Sequence, residues 1–180
     1  EAMRIAAVAA LRRLRAVKEL TAFVKNASPQ VMSDAVRAIY DEAVPQTFVE
    51  HPKALAAVAA ALDPQHSAPV NVRAIAANRR LGTIASAKRI SGFLATPNLG
   101  RALRVEALYA LQSWPQALTL DPIDGRYFPI PAGDLDTLSA AIGPEIWSLA
   151  NDADDKVSRR AIAVLQSIKP SKAQRDQVAG

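Results

Sequence analysis

The chain has 180 residues, half of them apolar, with a formal net charge of +5; 37 residues are alanine and only seven are glycine. Alanine is the strongest helix former and lets helices approach closely, so this composition predicts an all-α fold in a single domain. Cysteine is absent, which excludes disulfides, thiolate chemistry and covalent haem attachment within these residues. The longest apolar run, Ala54 to Leu62, is too short to cross a bilayer, and we expect no membrane insertion by this segment.

Helical periodicity and turn residues divide the chain into predicted helices. Apolar residues recur every three or four positions, and a proline, asparagine or glycine marks most of the boundaries, such as Pro45 and Gly82. On the first helix, Arg4, Arg12 and Arg15 group on a face away from the apolar stripe. The predicted helical stretches, in chain order, cover residues 3–15, 17–25, 29–44, 52–62, 70–81, 84–95, 99–114, 134–150 and 155–168.

The helical pattern stops between residues 115 and 133. This stretch contains four prolines and two glycines. Structureless loops of more than about 15 residues in compact domains are usually functional or disordered. We therefore predict a Pro-rich extended insertion inside the helical array. Its charged and aromatic residues are Asp121, Asp124, Arg126, Tyr127 and Phe128.

A nine-residue phrase returns along the chain: an apolar residue, an alanine four positions later, and an apolar residue four positions further on. It occurs at residues 3–11, 31–39, 103–111 and 157–165, with a looser version at 70–81. The spacing places three side chains on one stripe, with alanine where the neighbouring helix comes closest. Because one helix pair cannot bury such stripes alone, the repetition predicts an α-solenoid of about four to five antiparallel helix pairs.

The phrase and its acidic lead-in, Asn151 to Val157, resemble HEAT repeats. Arginines stand near the start of several copies, and we interpret Arg104 and Arg159 as structural residues that bond carbonyls or an acidic turn of the adjacent repeat. A calcium-binding loop beginning at Asp152 is an alternative interpretation of this acidic segment. It lacks a glycine at its sixth position and has Ala163 where a bidentate glutamate is required, so we expect no metal site.

A narrower resemblance covers about residues 31–168. Four blocks, 34–42, 73–82, 104–115 and 121–129, occur in the order found in the helical-repeat segment of large multidomain proteins from planctomycete and verrucomicrobial bacteria. In that family a sorbosone-dehydrogenase-like β-propeller precedes the repeats and a c-type cytochrome follows them. The resemblance implies a connecting or docking segment of a longer haem-binding chain, in an extracytoplasmic, periplasmic location. This sequence has no Cys-x-x-Cys-His and none of the propeller's motifs, so no redox role passes to its residues.

Charge is distributed unevenly along the chain. Residues 70–110 carry seven basic side chains against Glu106 alone, whereas residues 111–155 carry eight acidic side chains against Arg126. Arg73 and Arg80, seven positions apart, are expected on a solvent-facing helix ridge. The basic residues are Arg73, Arg79, Arg80, Lys88, Arg89, Arg101 and Arg104.

Two functions follow from these patterns. The first is an interaction or scaffold module whose partner is a protein, either an adjacent domain or another chain. The alternative is a nucleic-acid-binding domain that tracks phosphates with the basic stretch 70–104. The candidate interaction surface comprises Arg73, Arg79, Arg80, Lys88, Arg89, Arg101, Asp121, Asp124, Arg126, Tyr127 and Phe128.

An enzymatic function has little support in the sequence. The two histidines, His51 and His66, lie close to prolines and are interpreted as solvated surface residues. Asp121 and Asp124 have no identifiable catalytic partner. No phosphate-binding glycine loop, nucleophile elbow or metal-ligand spacing is present, so we expect no catalytic residues and no cofactor in this segment.

Several prominent single residues are interpreted as structural. Trp114, Trp147, Tyr127 and Phe128 could form a binding patch, but we expect core packing or anchoring of the insertion. Asn78 interrupts an otherwise apolar surface and is expected to be a buried hydrogen-bonding residue.

Overall fold

A computed structural model describes residues 1–25, 27–42, 51–142 and 144–168 of the chain. The described residues are mostly helical, which confirms the predicted helical class, and a small two-stranded sheet adds to it. The predicted helix end at Pro45 lies outside the described residues. The helices are α1 (Ala2–Arg13), α2 (Val17–Leu20, continued by a 3-10 turn at Thr21–Phe23), α3 (Pro29–Glu42), α4 (Pro52–Ala60), α5 (Ala68–Leu81), α6 (Ile84–Leu94), α7 (Arg101–Gln112), α8 (Leu135–Ala141), α9 (Pro144–Ala150) and α10 (Asp155–Ile168), and the strands are β1 (Leu118–Leu120) and β2 (Tyr127–Ile130).

The chain divides into two compact units. Unit 1 comprises Glu1–Leu81 and Leu118–Ile130, and unit 2 comprises Gly82–Ala117 and Pro131–Gly180. Unit 1 therefore holds α1 to α5 and the β-hairpin, while unit 2 holds α6 to α10. The expectation of one repeat domain over residues 1–180 stays a prediction.

In unit 1, α3 is the central helix. It packs against α1, α2 and α5, and α4 packs against α5. The second copy of the phrase lies on α3, and its Val31, Ala35 and Ile39 are fully buried. The first copy behaves differently, since Met3 is 85% exposed and Val8 is the buried residue of α1 instead. The phrase therefore predicts a buried stripe correctly on α3. On α1 it fails at Met3 but holds at Leu11, which packs against the core.

In unit 2, the helices that carry the third and fourth copies of the phrase, α7 and α10, pack directly against each other. Ala107 and Ala161, the central alanines of these copies, are fully buried. Helix α6 contacts α7, α8 and α9, and α9 contacts α10. The central alanines are thus buried on two helices that pack together, which agrees with the predicted stripe.

Two arginines tie α7 to the acidic turn before α10. Arg104 binds the carboxylate of Asp152, and the Nε atom of Arg101 lies 3.0 Å from Oδ2 of Asp154. Asp154 also caps α10, because its Oδ1 accepts the N–H of Lys156 at 3.0 Å. The interpretation of Arg104 as a residue that bonds an acidic turn is confirmed. Both aspartates are therefore engaged with arginines and backbone amides.

Residues 118–130 of the insertion form a β-hairpin. Within unit 2, the N–H of Gly133 donates to the carbonyl of Trp114 at 2.7 Å, and the Trp114 ring is fully buried. Within unit 1, β1 and β2 pair in antiparallel fashion, with Leu118 opposite Ile130 and Leu120 opposite Tyr127. The expectation of core packing or anchoring is confirmed for Trp114. The two strands are an addition that the all-α prediction did not include.

Two further details concern the helices. Gly82 has a φ of +62°, as expected of a glycine that follows a helix. Asn78 is fully buried and donates from Nδ2 to the carbonyls of Ala59 and Ala74, each at 2.8 Å, so its predicted role is confirmed. None of the helices in the described part of the chain combines the length and the apolarity that crossing a bilayer requires.

Candidate functional site: a hairpin anchored by a buried ion pair

The turn between β1 and β2 is built around Asp121. One carboxylate oxygen, Oδ1, accepts the N–H groups of Ile123 at 2.9 Å and Asp124 at 3.2 Å. The backbone of Asp121 is bonded too, because its N–H donates to the carbonyl of Arg126 at 2.8 Å. Gly125 adopts a φ of +68°, a conformation that glycine takes without steric cost. Asp121 therefore sets the shape of the turn.

The other oxygen of Asp121, Oδ2, fixes the turn to the helices of unit 1. It accepts hydrogen bonds from Nη2 of Arg80 at 2.5 Å, from Nε of Arg80 at 3.2 Å and from the hydroxyl of Tyr40 at 2.8 Å. The side chains of Arg80 and Asp121 are only 2% and 1% exposed. The ion pair is thus buried, and the prediction that Arg80 stands on a solvent-facing ridge is wrong.

Two aromatic rings enclose the Arg80 guanidinium. Its Cζ atom lies 3.9 Å from the centroid of Tyr40 and 3.7 Å from the centroid of Phe128. Tyr40 comes from α3 and Phe128 from β2, so the arginine of α5 joins three elements. A desolvated cation–π contact contributes about 2 kcal/mol. The expected anchoring role of Phe128 is confirmed.

Burial changes the chemistry of the Tyr40 hydroxyl. Desolvation raises the pKa of Tyr40 well above its ordinary value of 10, and the negative charge of Asp121 acts in the same direction, while Arg80 opposes them. The hydroxyl is therefore neutral at physiological pH and acts as a donor to Asp121. This arrangement suits a structural anchor rather than a general base.

Two further ion pairs in unit 1, Arg73–Asp41 and Arg126–Asp124, are more exposed than the Arg80–Asp121 pair. The carboxylate of Asp41 accepts hydrogen bonds from Nε and Nη2 of Arg73, both at 2.8 Å, in a bidentate pair. This hydrogen bonding raises the pKa of Arg73. Arg126 bonds the backbone carbonyl of Asp41 and, through Nε, Oδ2 of Asp124 at 2.6 Å. These contacts connect the hairpin tip to the end of α3.

The hairpin presents an apolar pair to solvent. Leu120 is 55% exposed and Tyr127 is 71% exposed, and the two residues face each other across the strands. Phe128 and Ile123, by contrast, pack against the core of unit 1. Large apolar side chains held on an ordered, solvent-exposed element are typical of recognition surfaces. We define Leu120 and Tyr127 as the hairpin pair.

The structure separates the predicted surface residues into different environments. Arg79, Arg80 and Asp121 are buried, and burial lowers the pKa of Arg79 to about 10. Arg73, Arg101 and Arg104 form ion pairs with Asp41, Asp154 and Asp152. Lys88, Arg89, Arg126 and Tyr127 are exposed, whereas the Asp124 side chain is only 24% exposed and Phe128 is half-buried. Arg79, Arg80 and Asp121 are therefore not surface residues, contrary to the prediction.

The structure also locates the groups considered for catalysis or metal binding. His66 is half-buried, and its Nδ1 lies 2.8 Å from the carbonyl oxygen of Ala61. His51 is half-buried as well. Among the described residues, no group of three histidine, aspartate or glutamate side chains lies close enough together to hold a metal ion.

Sequence reasoning missed Tyr40, Asp41 and Leu120 as parts of the site. Tyr40 and Asp41 follow the apolar stripe of α3, where an aromatic and an acidic residue read as an ordinary helix end. A signal existed in the excess of arginines over acids on α5, because a buried arginine requires an acidic partner from elsewhere in the chain.

Comparisons with known proteins leave the family open. The sequence matches no protein-family model. A search of curated proteins finds no match either.

Proposed function

We propose that this chain is a non-catalytic interaction or scaffold module made of HEAT-like helix pairs, and that the β-hairpin is its recognition element. The module would serve within a larger, haem-containing dehydrogenase-like protein, with an adjacent domain or another protein chain as its partner. The observation that carries the proposal is the hairpin pair, two exposed apolar side chains on a hairpin fixed by a buried ion pair.

The packing of the helices supports the HEAT-like part of the proposal. In a helical repeat array, corresponding helices of successive repeats lie side by side. In unit 1, α3 contacts both α1 and α5, which carry the first copy and the looser copy of the phrase. In unit 2, α7 contacts α10, which carry the third and fourth copies. Within each unit, phrase-bearing helices are therefore neighbours.

The anchoring of the hairpin supports its role in recognition. A hairpin of two short strands is at best marginally stable alone, so its order must come from contacts with the helices. Here one carboxylate, that of Asp121, binds both the turn and Arg80. Such rigidity lowers the entropy lost when a partner binds, because Leu120 and Tyr127 are already held in place.

The nucleic-acid alternative receives less support. Phosphate tracking requires several exposed cations on one surface. In the basic stretch, Arg79 and Arg80 are buried, and Arg73, Arg101 and Arg104 bind carboxylates. Titration of a random DNA duplex at low and high salt tests this directly; we expect no salt-sensitive binding.

The experiment that tests the proposal is site-specific photo-crosslinking from the hairpin. A photoreactive phenylalanine analogue replaces Tyr127 in the longest natural polypeptide that contains this segment. We expect a cross-link either to a flanking domain or to a second protein, and its loss when Leu120→Ser is added. The matched control places the analogue at Tyr109, which is 39% exposed on α7. Equal cross-linking from Tyr109, or no effect of Leu120→Ser, contradicts the proposal.

A further inference from the structure

Unit 1 contains an arginine-lined cavity between α1 and α3. Its volume is about 620 Å³, within the range of ligand-binding clefts. Arg12 and Arg13 reach it from the last turn of α1, Arg15 from the residue that follows, and Arg37 from α3. Among the described residues that line the cavity, Asp34 is the one acidic side chain. The cavity therefore carries a strong excess of positive charge.

The positive charge of Arg37, on α3, is only weakly compensated by a nearby acidic side chain. Arg37 lies 3.4 Å from Oδ2 of Asp41, and its side chain is 61% exposed. The same carboxylate already forms the bidentate pair with Arg73, at 2.8 Å for each bond. Because Asp41 is committed to the shorter pair, its interaction with Arg37 is weak and solvent-screened. Arg37 can therefore turn to an incoming anion at small cost.

The backbone beside the cavity is held in a conformation unusual for arginine. Arg15 has a φ of +53° and closes α1 in a Schellman motif, with the N–H of Ala16 bonded to the carbonyl of Leu11 at 2.9 Å. Glycine is the usual residue at this position, since a side chain there is strained. A strained residue in a cavity is grounds for a functional hypothesis.

The lining favours a carboxylate-bearing peptide over a phosphate group. All four cations are arginines, whose forked guanidinium matches carboxylates as well as phosphates. The floor, however, is apolar, with Val8 buried and Ile5 half-buried, which leaves a bare phosphate without contacts there. Acidic residues spaced by aliphatic ones match both the arginines and this apolar lining.

Accordingly, the geometry points to this cavity as a docking site for an acidic peptide segment in which glutamates or aspartates alternate with aliphatic residues. This inference deepens the proposed function, and rests on it, by naming the chemistry of the partner. The site is separate from the hairpin pair, so the two can be tested by different substitutions.

The test measures binding of a fluorescein-labelled peptide of alternating glutamate and leucine residues by fluorescence anisotropy. The variant Arg13→Gln/Arg37→Gln removes one cation from each helix while keeping hydrogen-bonding side chains. We expect its Kd to rise about 10-fold or more, the change that corresponds to about 1.4 kcal/mol. The matched control, Lys18→Gln/Lys88→Gln, removes two exposed cations outside the cavity and should change Kd less than about twofold, since it alters only net charge.

Three results would overturn the inference: equal binding of a peptide with glutamine in place of glutamate, an equal loss in the lysine variant, or displacement of the peptide by millimolar inorganic phosphate. The last result would identify a phosphate site instead. Circular dichroism of the arginine variant should match that of the unmodified protein, because Arg13 and Arg37 are exposed. If Arg13→Gln/Arg37→Gln loses peptide binding while cross-linking from Tyr127 is unchanged, the cavity and the hairpin act separately. The failure of this inference can then be distinguished from the failure of the proposed function.

Discussion

Replacing Arg80 by methionine should destabilise unit 1 strongly. Methionine fills part of the space between Tyr40 and Phe128 but leaves the Asp121 carboxylate, which is 1% exposed, without its cation. Removing one partner of a buried ion pair costs about 3–5 kcal/mol. For a protein whose total stability is about 5–15 kcal/mol, this is a large fraction, equivalent to a fall in Tm of roughly 10 °C.

A second substitution isolates the cause. Asp121→Asn keeps an oxygen that can accept the N–H groups of Ile123 and Asp124 but removes the buried negative charge. If the uncompensated charge is the main penalty, Arg80→Met/Asp121→Asn should be more stable than Arg80→Met alone. A double-mutant cycle should then give a coupling energy within the range of about 0.5–3 kcal/mol found for contacting residues.

The assay must distinguish the two units. Both tryptophans, Trp114 and Trp147, belong to unit 2, so tryptophan fluorescence reports that unit. Hydrogen exchange at the amides of Ile123 and Asp124 reports the hairpin, because both donate to Asp121. We expect faster exchange there in Arg80→Met. Lys88→Met, at an exposed position, is the control. If the unfolding free energy of Arg80→Met lies within about 0.5 kcal/mol of that of the unmodified protein, the range of ordinary surface substitutions, the prediction is refuted.

Three further predictions concern other contacts. Tyr40→Phe removes the 2.8 Å hydrogen bond to Asp121 and should cost about 2 kcal/mol at neutral pH in urea unfolding. Because the folded-state pKa of Tyr40 is raised, its contribution to the free energy of unfolding is present below pH 10 and is lost as the pH rises further. The unmodified protein should therefore lose stability above about pH 10 more steeply than Tyr40→Phe. Parallel profiles of stability against pH for the two proteins would contradict this. Gly133→Ala places a Cβ atom against Nε1 of Trp114 and should cost about 1–3 kcal/mol of stability. Gly92→Ala, with open space around its Cβ, should instead stabilise helix α6 by up to about 1 kcal/mol. Thermal unfolding that ranks the two variants in the reverse order would exclude the close contact. Ala107→Asp buries a charge at the packed face of α7 and should lower the free energy of unfolding by more than about 4 kcal/mol. Ala102→Asp, on the exposed face of the same helix, should change it by less than about 1 kcal/mol. Equal Tm values for the two variants would show that Ala107 does not lie at a packed face.

The sequence predicts the helices well because their signals are local. The spacing of Ala107 between Leu103 and Leu111 defines a stripe without any knowledge of its neighbour, and Gly82 marks a helix end by its own conformational freedom. The first copy of the phrase shows the limit of this reasoning. Met3 satisfies the pattern but is exposed, because burial depends on whether another helix lies against it.

The candidate site could not be predicted because its contacts join distant parts of the chain. Asp121 bonds Tyr40, 81 positions earlier, and Arg80, 41 positions earlier. Nothing in the spacing of residues 70–81 distinguishes an arginine that points to solvent from one that enters the core. The charge excess on α5 is visible in the sequence, but the carboxylate that balances it lies in the insertion, beyond two further helices.

The late position of Asp121 also bears on the order in which the polypeptide matures during synthesis. When a nascent chain has emerged as far as Leu81, Tyr40 and Arg80 are present, but their carboxylate partner is still to be translated, together with the hairpin. A fragment that ends there would expose an arginine whose burial requires a counter-ion. Helices α6 and α7 of unit 2 emerge before the hairpin does, so unit 1 reaches its native state only after residues 82–117 of unit 2 have been made.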